Sequence, residues 1–174
     1  LWRLDPDAPG GICFWITRDW EGAKRYLRDR YANNRDARFG IVASSKDKDL
    51  ERRFGIPNSY QATKQVRLGR WYAEDESDRH SCRRLETVVT EFGAQGLELD
   101  MTLLAWGTDL IRVQGRWSIA RASGYGGGVP VKSPETLRLN AYRVLLTRGR
   151  DGTVVFVPPI TEMDETFRYL VASG

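Results

Sequence analysis

Apolar positions along the chain fall into short dense runs separated by longer periodic stretches. "GICFWI" (Gly11 to Ile16), "ARFGIVASS" (Ala37 to Ser45, an apolar run followed by small polar residues), "LETVVTEF", "MTLLAW" and "TVVFVPP" are short and rich in apolar residues, and read as buried strands. "DWEGAKRYLRDRYANN" reads as a helix, with Asp19 as N-cap and Trp20, Ala23, Leu27 and Tyr31 on one apolar stripe. "KDKDLERRFGIP" predicts a short helix closed by Gly55 and Pro57. "SPETLRLNAYRVLLTRGRDG" opens with Ser133 as N-cap, Pro134 at the first helical position and Glu135 in the first turn. It sets Leu137, Ala141, Val144 and Leu145 on one face and ends at Gly149, and "TEMDETFRYLVASG" is a closing helix. Strands alternating with helices predict one α/β domain over residues 1–174 with a mostly parallel sheet.

Two stretches carry no sustained period. Asn58 to Asp78 reads as a loop or an edge strand with a solvated charge run. "IRVQGRWSIARASGYGGGVPVKSP" reads as a long excursion with a short hairpin around Trp117, and "GYGGGVP" (Gly124 to Pro130) as a flexible loop.

Composition adds bounds. With 41% hydrophobic and 29% charged residues over 174 positions, the chain is globular and large enough for a sizeable core. No apolar run approaches the roughly 20 residues of a membrane span, so no membrane partner is expected. The start, "LWRLDPDAPGG", has no signal-peptide pattern and no Met, and reads as the edge of an excised piece of a longer, cytoplasmic polypeptide. A net charge of +4 is compatible with phosphate contacts and equally with a solvated surface. Cys13 and Cys82 are too few for a disulfide framework. Cys82 with His80 supplies two of the three or four ligands a zinc site needs, so the thiols read as reduced and no metal site is assigned.

Two stretches carry candidate chemistry. "TEFGAQGLE" follows a strand, and ligands of open parallel sheets collect at strand carboxyl ends. Gly93 and Gly96 let the backbone approach a ligand, while Gln95 and Glu98 offer hydrogen bonds. The same residues also describe a glycine-rich turn with a polar surface. "NAYRVLLTRGRDG" gathers Arg143, Arg148 and Arg150 around a helix end. There a cation is favoured by the macrodipole alone, and a guanidinium held rigidly is also suited to a phosphate.

Together these stretches resemble the second RecA-like domain of superfamily 1 helicases. The nearest group is that with the DUF2075 domain, whose ATPase module is related to that of the Schlafen proteins. "TEFGAQGLELD" resembles motif V and "LNAYRVLLTRGRDG" resembles motif VI, a helix ending in Thr-Arg. "FGIVASSK" and the closing "VFVPP" match in order and spacing, so the similarity covers nearly the whole chain.

The resemblance implies a three-layer α/β/α RecA-like fold of the P-loop NTPase type. It implies that Glu98 hydrogen-bonds the ribose of ATP, that Gly96 lets the backbone near the phosphates, and that Arg148 is an arginine finger. Gln95 would couple nucleotide to strand, and Arg143 stands with the nucleotide-binding residues. Thr90 would touch a phosphate of single-stranded nucleic acid. Phe92 stands where many motor helicases carry histidine, and its ring could stack on a base.

No G-x-x-x-x-G-K-[ST] occurs, so the phosphate-cradling loop and the acid that binds Mg2+ are expected from a preceding RecA-like domain of the same polypeptide. The chain alone is then expected not to turn over ATP. A second reading is a non-catalytic module holding nucleic acid or protein through Arg112, Arg116, Trp117 and Arg121. A third is a nuclease using Glu98 and Asp100 on a metal.

Overall fold

The computed structural model describes residues 2–3, 13–124 and 131–173. Gly11 and Ile12 of the first run, and most of the glycine loop "GYGGGVP", lie outside them. The strands are β1 (Trp2–Arg3), β2 (Cys13–Thr17), β3 (Phe39–Ala43), β4 (Val88–Thr90), β5 (Leu99–Ala105), β6 (Ile111–Val113), β7 (Arg116–Ser118) and β8 (Gly149–Phe156). The helices are α1 (Trp20–Arg30), α2 (Asp49–Phe54), α3 (Tyr60–Thr63), α4 (Leu68–Ala73), α5 (Pro134–Leu146) and α6 (Asp164–Ala172).

Six strands form one sheet in the order β1-β2-β8-β5-β3-β4. All neighbours pair in parallel except the two-residue edge β1, which runs antiparallel to β2. Strands buried on both faces need apolar side chains at every position, and β3 is buried throughout. Phe39, Ile41 and Ala43 face a core with Ala23 and Leu27 of α1 and Leu50 of α2. Val42 faces the other core with Trp71 of α4, Tyr142 and Leu145 of α5, and Phe167 of α6. Helices thus cover both faces, giving the expected α/β/α layers.

Local signals act as read at several places. Asp19 accepts from the Gly22 amide (2.9 Å), and Gly55 closes α2 in the left-handed region at φ 67°. The hairpin around Trp117 is β6–β7, turned by Gln114 and Gly115, both at positive φ.

Three readings need correction. Asn58 to Asp78 is neither loop nor edge strand: it holds α3, capped by the Ser59 hydroxyl on the Ala62 amide (3.3 Å), and α4. Trp71 explains α4, because its ring packs over Gly40, where a Cβ would lie 2.5 Å from it. On α5 the inward face is Arg138, Ala141, Tyr142 and Leu145, while Leu137 is 45% exposed. A charged residue displaces a leucine from the core because it has buried partners, described below. Finally, α5 ends at Leu146, and Gly149 opens β8 instead of closing the helix.

Candidate functional site

The two chemistry-bearing stretches run side by side. Residues 91–98 leave the carboxyl end of β4 and descend to the amino end of β5, crossing the height of the sheet. Helix α5, about 20 Å long for its thirteen residues, runs from the carboxyl edge to the amino end of β8. The pair is fastened at both edges. At the amino edge the Leu99 amide donates to the Arg148 carbonyl (2.8 Å), and Arg148 Nη1 reaches the Leu97 carbonyl (3.4 Å). At the carboxyl edge Arg138 Nη2 donates to Glu91 Oε1 (2.7 Å).

The amino edge holds an open cavity of about 470 Å³, lined among others by Gly96, Glu98, Thr147, Arg148 and Arg150. Only Thr90 and Glu91 of "TEFGAQGLE" stand at strand carboxyl ends. Gly96 to Glu98 lie at the opposite edge, because the segment returns past β3 to start β5, which runs parallel to β4 in the same sheet. Arg148 Nε donates to the Val144 carbonyl (3.0 Å) and Nη2 lies 3.1 Å from Thr147 Oγ1. These bonds and the Leu97 contact use three of the five N–H groups of a guanidinium, which fixes the fork and leaves donors for a ligand. Glu98 is exposed, and among the described residues nothing donates to its carboxylate; Tyr72 instead binds its backbone carbonyl (2.9 Å). Gly96 sits at φ 79° with open space where a side chain would be, as a close backbone approach requires. Gly93 differs: a Cβ there would lie 2.8 Å from Val89, so its smallness serves packing.

Gln95 lines a neighbouring cavity of about 320 Å³ with Phe92, Leu137 and Ala141. Arg143 is exposed, 3.3 Å from Asn140 Oδ1, and does not line the Glu98–Arg148 cavity. Thr90 ends β4 nearly buried, and Phe92 beside it is 65% exposed. Asp100 accepts from the Arg38 amide (2.6 Å) and pairs with Arg150. That engagement ties strand β5 to its neighbours and takes up the carboxylate which a nuclease reading would give to a metal. Arg121 is spent on Asp49 (3.0 Å), and Arg112 lies over Tyr169 (4.2 Å) and Trp117. Of the four residues offered for a binding module, Arg116 alone is exposed.

The carboxyl edge carries a buried ionic cluster that sequence reading missed. Arg138, 2% exposed, bonds Glu91 and Asp109 (3.0 Å), and also touches the Ser44 hydroxyl. Glu91 accepts from the Ser45 amide (2.8 Å) and hydroxyl (2.9 Å), and Tyr142 donates to Asp109 (2.7 Å). Burial alone would loosen the Arg138 proton, but Glu91 and then Asp109 outweigh it, so its pKa is raised. Burial also pushes Asp109 up, against its hydrogen bonds from Ser44, Tyr142 and Arg138. Tyr142 is driven well above the phenol range by burial and by the Asp109 charge. Nearby, Asp47 accepts the Asp49 and Leu50 amides (2.9 and 2.6 Å) and the Thr108 amide (2.6 Å). The cluster thus clamps the loops after β3, β4 and β5 onto α5. The sequence signal for it was weak: an arginine at an inward helical position, four residues before Tyr142.

The model of the Schlafen group 3 DNA/RNA helicase domain matches residues 7–159, most of the chain. The chain belongs to that family. A search of the curated proteins and a search of the solved structures each returned no match. Membership points to a helicase-related function for this Schlafen group 3 domain, and the mostly parallel sheet agrees with a RecA-like fold. Among the described residues no helix is long and apolar enough to cross a membrane.

Proposed function

We propose that this domain is the C-terminal RecA-like half of an ATP-dependent DNA or RNA motor, allied to the DUF2075 group. It supplies one wall of the nucleotide site. In this reading Glu98 receives the ribose hydroxyls, Gly96 brings the backbone near the phosphates, and Arg148 reaches the γ-phosphate across a cleft closed by the preceding domain. That domain supplies the phosphate loop and the ligands of Mg2+, whose part is to neutralise developing charge on the transferring group. Thr90 and Phe92 meet single-stranded nucleic acid at the opposite edge of the sheet.

The observation that carries the reading is the Arg148 fork. It is anchored through the Val144 and Leu97 carbonyls and opens onto the same cavity as the Glu98 carboxylate, to which nothing among the described residues donates. A cap that merely satisfied the helix end would not need an acid facing the same space. The cavity residues fit a nucleotide by their chemistry: donors for phosphate, an acceptor for ribose, and an open glycine at positive φ.

The test is ATP turnover by the full-length protein with and without single-stranded DNA or RNA. Arg148→Ala should lower turnover about a thousandfold or more while ATP binding persists, the size expected of a lost arginine finger. Turnover kept in that variant would remove the finger role. Nucleic-acid binding with no ATP dependence in any form of the protein would favour the non-catalytic module.

A further inference from the structure

Tyr60 is 75% exposed, the largest exposure recorded for a big hydrophobic side chain among the described residues. It opens α3, in a stretch whose pattern reads as a loop or an edge strand. With Lys64, Thr90 and Phe92 it borders an open, apolar cavity of about 360 Å³ at the carboxyl end of β4. From residue 13 onward Phe92 is the only exposed one of the described tryptophans and phenylalanines, and two exposed aromatic rings on one cavity mark a surface that meets something flat and apolar.

The surroundings select what that is. Lys64 Nζ lies 5.5 Å from the Tyr60 ring centroid, so the apolar platform carries a cation on its rim. An adjoining cavity of about 310 Å³ shares Val66 with the first and is lined by Arg67, Arg79 and His80. Among the described residues no carboxylate lines either cavity. The acids adjoining the lining residues in sequence are each engaged elsewhere: Asp78 with Arg70 and the His80 amide (2.7 Å), Glu86 with Arg84 (2.8 Å), and Glu91 with Arg138 (2.7 Å). An apolar slot flanked by rings, continuous with a pocket of cations, is complementary to a base joined to its phosphates; a protein partner would call for no such uniform charge.

We propose that the cavity bordered by Tyr60 and Phe92 holds one base of a single-stranded nucleic acid, with Lys64, Arg67 and Arg79 taking the phosphates beside it. This rests on the motor reading given above and adds to it a base seat built by α3 and the turn before α4. Stacking is sequence-tolerant, because every base offers a π face, so the seat accepts any of the bases.

The test is fluorescence anisotropy of a labelled single-stranded 20-mer with the full-length protein, without nucleotide, over a salt series. Tyr60→Ala should weaken binding by about fivefold to a hundredfold, the range for one lost stacking partner, and Tyr60→Phe should restore it. Arg67→Gln and Arg79→Gln should each flatten the slope of log affinity against log salt by about 0.7. Because Tyr60 is so exposed, its variants should melt as the parent does, and circular dichroism checks this. Unchanged affinity in Tyr60→Ala beside a loss in Phe92→Ala would overturn the base seat and leave the motor reading standing, with the α3 face then serving a protein neighbour. A parent protein that binds no single strand would overturn both.

Discussion

Arg138 Nη2 stands 2.7 Å from Glu91 Oε1, with both side chains more than nine-tenths buried. This pair joins the start of the motif V-like turn to the helix that leads into Arg148. Helix α5 and residues 91–98 therefore behave as one strap, pinned by the ion pair at the carboxyl edge and by backbone bonds at the amino edge. Removing one partner leaves the other as an uncompensated buried charge. Arg138→Ala should cost about 3–5 kcal/mol in urea unfolding of the chain, since both Glu91 and Asp109 lose their cation. The double variant Arg138→Met with Glu91→Gln should cost clearly less than its two single changes summed. Strict additivity would show that the pair does not act as a unit.

The acid side of the stability profile should be set in part by Asp49. Burial acts to raise its pKa, but hydrogen bonds from Thr108, Arg121 and Arg52 prevail and bring it down to about 2. A depressed carboxylate stabilises the fold fully above its unfolded value, about 3.9, and that contribution fades as pH falls towards 2. Asp49→Asn should therefore cost about 2 kcal/mol at pH 6 and little at pH 2. The difference between the two proteins isolates Asp49 from Asp109, whose burial-raised pKa slopes the other way. A gap that stays constant from pH 6 to 2 would show that Asp49 acts through shape alone.

How much of this could be read from residues alone follows from where each signal lives. Helix α1 was legible because its cap and stripe are local: Asp19, Ala23 and Leu27 lie within nine positions. The strands were legible because a sheet covered on both faces makes them continuously apolar. The Glu98–Arg148 cavity was legible only through the family resemblance, since its halves are fifty residues apart and nothing in either stretch names the other. Arg138 was missed because hydrophobic periodicity favours Leu137, and the partners that draw the arginine inward lie 47 and 29 residues away in sequence. Helix α4 was missed for a similar reason. Trp71 is buried by Gly40 on a distant strand, and the charged residues around it mask any stripe.

Cys82 offers a check on packing that owes nothing to the motor reading. It sits against Gly40 beneath α4, and burial pushes its thiol up to about 11. At pH 8 only about one molecule in a thousand carries the reactive thiolate there, against roughly a quarter for an ordinary thiol. Native alkylation with iodoacetamide followed by peptide mapping should leave Cys82 unmodified over a time in which the urea-unfolded chain reacts fully. Equal rates in the two states would mean that α4 does not cover the strand.

Thr147 is the most informative neighbour of Arg148, because its hydroxyl touches the guanidinium while carrying no charge of its own. Its hydroxyl lies 2.9 Å from the Arg143 carbonyl and 3.1 Å from Arg148 Nη2, so it links the helix end to the fork. Thr147→Val keeps the shape and removes that link. If Arg148 stabilises charge in the transition state, loosening its fork should lower kcat about tenfold in the full-length protein and leave the KM for ATP nearly unchanged. Thr147→Ser, which retains the hydroxyl, should recover most of the rate. A purely structural role would instead give a lower melting temperature in both variants with kcat per folded molecule intact, and steady-state kinetics beside thermal unfolding separates the two.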